Sequence, residues 1–198
     1  MKILLVGASG VLGSAVANEL GARHEIIRAG RSGADVALDI TDANSIRAAF
    51  EKVGMLDAVV SAAGKVKFAP LSAMTAEDYG IGLADKLMGQ VNLVLIGQRF
   101  VADGGSFTLT SGVLSHDPIV AGSSASMVNG ALDSFVRAAA IELAPKRINV
   151  VSPGVLTESM AGYGPFFRGH PPVDAARAAL AFSKSVEGAL TGQIFQVL

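Results

Sequence analysis

The chain contains no cysteine and no tryptophan, and only two tyrosines and three histidines among its 198 residues. Without cysteine there is no disulfide framework and no thiolate-held metal. The three scattered histidines do not suggest a metal site either. Neither sign of charge dominates: 16 Lys and Arg face 17 Asp and Glu, so there is no electrostatic footprint for nucleic acid. No apolar run approaches the roughly 20 residues of a membrane-spanning helix. The apolar stretch Ile3-Leu4-Leu5-Val6 is too short for a signal-peptide core. These absences lead to the expectation of a cytoplasmic protein with a small-molecule substrate and neither nucleic acid nor membrane as partner. What is present is apolar: 51% of residues, against 17% charged, which excludes a disordered chain. The length suffices to bury a full core and is most simply one domain. So much apolar surface in a small domain also hints at surface buried in an oligomer.

The organising stretch is Val6-Gly7-Ala8-Ser9-Gly10-Val11-Leu12-Gly13. It follows a short apolar strand and opens a helix-forming run, the context of a dinucleotide-binding turn. Gly7 allows a sharp turn at the strand end. Gly10 leaves the backbone open to a pyrophosphate, and Gly13 lets the helix sit close to the strand. The N–H groups of the first helical turn have no intrahelical partner and favour an anion. The spacing is Gly-x-x-Gly-x-x-Gly, and an ordinary strand-to-helix turn is the alternative reading.

Strands are expected at Glu25–Ala29, Val36–Leu38, Leu56–Ser61, Ser106–Thr110, Arg147–Val151 and Gln193–Val197. Between them lie helical stretches. Asp42 is suited to cap one from Ala43 to Lys52, and Thr75 with Asp78 is suited to cap another. The latter region runs to about Val101, weakened by Gly80, Gly82, Gly89 and Gly97. Further helices are expected from Ala125 to Leu143 and from Val173 to Leu190, with a long loop over Ser152–Pro172. Strands alternating with helices imply an α/β fold, a doubly wound parallel sheet with helices on both faces.

With these motifs in order, the chain resembles the short-chain dehydrogenase/reductase family over nearly its whole length. Gly7 to Gly13 is similar to that family's cofactor turn, with Ser9, Gly10, Val11 and Leu12 in its phosphate-facing part. Asp39-Ile40-Thr41-Asp42 resembles the segment whose first Asp meets the adenine. Ser61-Ala62-Ala63-Gly64 resembles a degenerate form of the Asn-Asn-Ala-Gly motif after the fourth strand. Ser111 falls at the family's catalytic serine. Ile148 to Thr157 resembles the sixth-strand motif, in which Pro153, Gly154, Val155 and Thr157 would line the nicotinamide side. The resemblance implies a Rossmann-type three-layer domain with strand order 3-2-1-4-5-6-7. It also implies a homodimer or homotetramer assembled through the two long helices.

Arg31, about twenty residues past the glycine turn, suits the 2′-phosphate of NADP, with Ser32 as an added donor; an acidic residue there would suit NAD. The cofactor expected is therefore NADP(H). The departures lie elsewhere. Aligned without a gap, the family's Tyr-Ser-Ala-Ser-Lys falls on Ser123-Ser124-Ala125-Ser126-Met127, so that Ser123 and Met127 replace the catalytic Tyr and Lys. The place of the catalytic Asn falls near Lys86. A serine hydroxyl is a far weaker acid than a tyrosine whose pKa a cation lowers. Ser111 can still donate a hydrogen bond to a carbonyl oxygen. Lys65, Lys67, Tyr163 and His116 are candidates to restore a cation or a proton donor, each with a plainer reading as a loop or packing residue. Two functions follow: an NADP(H)-dependent oxidoreductase with an atypical proton donor, or a non-catalytic NADP(H)-binding sensor.

Overall fold

Alternation along the strands decides the architecture. In the first strand, Leu4 and Val6 belong to one buried cluster with Val59, Leu109 and Val150 of later strands. Ile3 and Leu5 belong to the other, with Ala58, Val60 and Val151. A sheet apolar on both faces must be covered on both, and all-parallel strands joined by helices achieve this. The computed structural model describes all residues from Met1 to Leu198. Its strands are β1 (Lys2–Val6), β2 (Glu25–Gly30), β3 (Val36–Ala37), β4 (Leu56–Ser61), β5 (Val101–Thr110), β6 (Arg147–Pro153) and β7 (Ile194–Val197). They form one parallel sheet in the order β3-β2-β1-β4-β5-β6-β7, as expected.

The helices are α1 (Val11–Gly21), α2 (Ala43–Val53), α3 (Ala76–Gly82), α4 (Met88–Gly97), α5 (Ser123–Glu142), α6 (Met160–Tyr163) and α7 (Ala175–Glu187). The buried cluster containing Leu4 takes in residues of α2, α4 and α5, and the one containing Ile3 takes in residues of α1 and α7. Asp42 caps α2 by accepting from Asn44 N–H at 2.8 Å. Thr75 and Asp78 form the expected capping box of α3. None of the chain's helices is long and apolar enough to cross a membrane.

Two expectations need correction. The helical region after Thr75 does not run to Val101: α3 passes through a π-helical turn, Leu83–Leu87, into α4, which ends at Gly97. Its glycines are packing sites as much as weak points. A Cβ at Gly97 would come within 2.6 Å of Phe50, and one at Gly89 within 2.9 Å of Ile40. The fifth strand accordingly begins at Val101, with a register shift opposite Leu56 and Ala58 before regular pairing resumes at Ser106. The loop after Pro153 also holds more structure than expected, namely a 3-10 turn at Thr157–Ser159, then α6, and a parallel bridge from Leu156 to Val173.

Candidate active site

The glycine turn is built as its spacing requires. Gly7 takes φ +86°, open to glycine at little cost. A Cβ on Gly13 would lie 2.0 Å from the Gly7 carbonyl oxygen, so α1 touches the turn backbone directly. Gly10 differs. A Cβ there would meet nothing nearer than the Gly7 oxygen at 3.6 Å, so internal packing does not demand glycine. The space it leaves open is on the solvent side, at the start of α1, and no side chain caps that helix. A cradle of this kind fits a phosphate.

Beside it lies a cleft of about 140 Å³ lined by Gly7, Ser9, Arg31, Asp39, Ala63 and Gly64 among others. Backbone and hydroxyl hydrogen bonds from Thr41 hold the Asp39 carboxyl below its usual range, with Arg31 adding a smaller pull. Arg31 is exposed. Ser32 lines a neighbouring pocket with Ser9, Ser14, Asn18 and Arg28 rather than the Arg31 cleft. Val11 is exposed and Leu12 half-buried at the helix start, and Ala62 pairs β4 to β1 through its N–H to Val6.

A second cavity of about 320 Å³ shares Gly64 and Lys65 with the first cleft. Pro153, Gly154 and Val155 form part of its wall, while Ser111, Lys86 and Asn129 line it as well. Thr157 is exposed beside the cavity, outside its lining. Ser111 is held by its N–H bond to Val151 O at 2.9 Å, at the end of β5. The buried Gln90 clamps the preceding residue: its amide donates to Thr110 O at 2.9 Å and its oxygen accepts from Thr110 N–H at 2.8 Å. The Ser111 hydroxyl is buried without a partner.

Lys86 arrives on the π-helical turn, a device frequent at functional sites. Its ammonium donates to the Ser111 carbonyl oxygen at 2.8 Å. Gly64, at φ +142°, makes room for it, since a Cβ there would meet Lys86 Cγ at 2.7 Å. Burial pushes the Lys86 ammonium down to about 8, and the field of Asp133 only partly opposes this.

The positions expected to stand for the family's Tyr and Lys do not face this cavity. Met127 is 42% exposed, and the half-buried Ser123 hydrogen-bonds Tyr79 at 2.7 Å, outside the cavity lining. The pair four apart on α5 that does line the cavity is Ala125 and Asn129. Buried Val128, Leu132 and Val136 set the inward face of the helix, and Met127 lies about 100° away from Val128 on the helix circumference. That periodicity was the available signal that Ala125 and Asn129 lie on the cavity side of the helix. Asn129 donates to Gly112 O at 3.3 Å, and its own oxygen is unpartnered. Neither Ala125 nor Asn129 supplies a phenol or an ammonium.

Of the other candidates, Lys67 is exposed and paired with Asp78 at 2.7 Å, and His116 is exposed. Lys65 lines both cavities, and Tyr163 lines the larger of the two. Tyr163 packs edge-on against Phe68 and Phe167, with centroids at 5.7 and 6.4 Å.

Residues 7–182 match the family model described as Enoyl-(Acyl carrier protein) reductase. The fold superposes on protein lin1944 from Listeria innocua with a TM-score of 0.98, at 52% identity over all of both chains. It also superposes on a small-chain dehydrogenase solved in complex with NADPH, with a TM-score of 0.87 and 25% identity, over 100% of this chain and 96% of that one. Versicolorin reductase 1 of Dothistroma septosporum is 30% identical over 192 residues, spanning 80% of this chain and 71% of that protein. The chain spans about half the length of two further curated relatives that it matches, 52% and 48%. With a matching family model over most of its length, a glycine turn opening a parallel seven-stranded sheet and a serine at the end of β5, the chain belongs to the short-chain dehydrogenase/reductase family.

Proposed function

We propose that residues 1–198 act as one NADP(H)-binding domain that reduces a small-molecule acceptor, with Lys86 taking the place of the missing proton-donating pair. The observation that carries this reading is the Lys86 ammonium beside Ser111, in a cavity that shares Gly64 and Lys65 with the glycine-turn cleft. NADPH, when bound, supplies a hydride. The phosphates would lie on Gly10 and the first turn of α1, the adenine side by Asp39, and the 2′-phosphate near Arg31. Pro153, Gly154 and Val155 would form the nicotinamide side. Ser111 would donate to the acceptor oxygen, and Lys86 would offset the charge that develops there and deliver a proton. A relative whose solved structure holds NADPH and another named as a reductase support the reading by analogy.

An ammonium does not reproduce a tyrosine held by a lysine, and positioned acid catalysis contributes about 10²–10⁴-fold. Plain aliphatic ketones are therefore expected to be poor acceptors. Quinones and conjugated carbonyls, whose product anions are already stabilised, should be better. Stopped-flow oxidation of NADPH across both groups tests this; rapid turnover of an aliphatic ketone, lost in Ser111→Ala, would overturn it. The absence of any phenol at Ala125 and Asn129 favours a second reading, a sensor that binds NADP(H) without turnover. Tight NADPH binding with no oxidation by any acceptor would establish that one. We also propose a homo-oligomer, supported by the exposed Met127 and Ile141 on α5 and Leu95 on α4; sedimentation showing only monomer at micromolar concentration would end that proposal.

A further inference from the structure

The larger cavity holds more unused hydrogen-bonding capacity than the fold requires. The Ser111 hydroxyl and Asn129 Oδ1 are buried with no partner. The Lys86 ammonium has three N–H donors and places one on the Ser111 carbonyl oxygen. None of the chain's ion pairs includes Lys86, and the cavity lining holds two lysines but no Asp or Glu. The facing wall is aromatic, formed by Phe68, Tyr163 and Phe167. A half-buried cation with no ion pair, eased only by the field of Asp133, gains when an anion joins it. An aliphatic carboxylate would satisfy Lys86 and leave the rings unused; a neutral aromatic would do the reverse.

We propose that this cavity binds a flat aromatic molecule through an ionised ring oxygen, a phenolate or enolate, held between Lys86 Nζ and the Ser111 hydroxyl with its ring against Phe68, Tyr163 and Phe167. The proposal rests on the reading of this cavity as the acceptor site and names the class of acceptor, a hydroxyquinone-like molecule whose ionised ring oxygen is bound while its conjugated carbonyl takes the hydride. The charged and titratable groups near Lys86 include Asp133 on α5, whose field acts on it, Tyr163 and Lys65 in the same cavity lining, and Asp85 on the same π-helical turn. The Asp85 carboxylate is engaged by the Lys65 N–H at 2.8 Å. Asp133 keeps one oxygen unpartnered and forms no ion pair with Lys86. Burial holds Lys86 at about 8, so the attraction should fade above that pH.

The test is calorimetric titration with lawsone, a hydroxynaphthoquinone ionised at neutral pH, against its neutral O-methyl ether. The chain has no cysteine, so thiol addition to the quinone does not interfere. At about pH 7, lawsone should bind about tenfold or more tightly than the ether, the size of a charge-assisted hydrogen bond. That advantage should shrink between about pH 7 and 9.5, as Lys86 loses its proton. It should vanish in Lys86→Met and survive in part in Lys86→Arg. Should Lys86→Met not fold, the pH series on the unaltered protein decides alone. Equal affinities, or an advantage that ignores both pH and Lys86, would overturn the proposal. NADPH binding is titrated separately by nicotinamide fluorescence. If NADPH binds and the two quinones bind alike, the acceptor class is wrong and the oxidoreductase reading stands. If lawsone is preferred and NADPH does not bind, the oxidoreductase reading fails and an aromatic-anion site remains.

Discussion

The two cavities that we propose hold the nucleotide and the acceptor are built on different principles. At the nucleotide end the chemistry is in the backbone. Gly7 and Gly13 bring α1 against the turn, Gly10 keeps the approach open, and the helix N-terminus offers N–H groups. At the acceptor end the chemistry is in side chains delivered from separate elements: Ser111 from the end of β5, Lys86 from a π-helical turn, Asn129 from α5. A backbone site allows almost no substitution, because its atoms are the fold. A side-chain site can exchange its groups while the fold persists, and here the face of α5 that lines the cavity carries Ala125 and Asn129. The difference teaches that the turn and sheet that carry family membership do not by themselves fix which side chains line the second cavity.

The comparison breaks most visibly at Gly13. Gly13→Val puts a side chain into the Gly7 carbonyl, an overpacking expected to cost about 3 kcal/mol or more. Chemical denaturation should show it, together with loss of NADPH binding; near-native stability would mean that α1 can move off the turn. Next in size is Gln90→Leu, which strips hydrogen bonds from both the N–H and the C=O of buried Thr110. A loss of about 2–4 kcal/mol is expected, since each buried group left unmet costs about 1–3. If stability falls by less than a few tenths, the Gln90 clamp does not hold the Ser111 end of β5.

Arg31→Ala should leave the fold intact and remove most of the preference for NADP over NAD. The loss is about 1.5–3 kcal/mol, one to two decades in affinity. Competitive titration of both cofactors checks it, and equal binding by the unaltered protein would remove the case for NADP(H).

Lys86 gives the acceptor end a pH signature. Its folded-state pKa lies below the unfolded value. Between about 8 and 10.5 the unfolded chain binds the extra proton, so stability rises with pH across that window; below about 8 the full cost of the buried charge is present. Lys86→Met should abolish the rise and be more stable near neutrality by on the order of 2 kcal/mol, allowing for water around a partly buried side chain. Urea denaturation near pH 7 and pH 9.5 would reveal it. An identical pH profile in the two proteins would place the ammonium in water. The smallest effect is expected for Met127→Lys. Restoring a lysine at the position suggested by gapless alignment should change neither NADPH oxidation nor stability by more than about 0.5 kcal/mol, because Met127 faces solvent. Restored turnover would reverse the assignment of the inward face of α5.

Much of the fold was legible in the sequence, because strands buried on both faces and helices with caps leave a local record. The run Leu56–Ser61, the Asp42 cap and the Thr75–Asp78 box needed no distant partner to be recognised. The glycine spacing, read the same way, placed the tight turn between β1 and α1. The sequence alone also carried the absence of cysteine, the balance of charge and the lack of a Tyr-x-x-x-Lys pair on α5. What it did not carry were the features decided by contact between elements. Glycines in α4 looked like helix breakers but lie where Ile40 and Phe50 press against the helix. The inward register of α5 depends on which of its faces meets the sheet. The convergence of Lys86 and Ser111 depends on Gly64 leaving room for the lysine stem, across 25 residues of chain. Local propensity acts over a few residues and is written in order along the chain, whereas a site of this kind exists only where packing brings separate elements to one point.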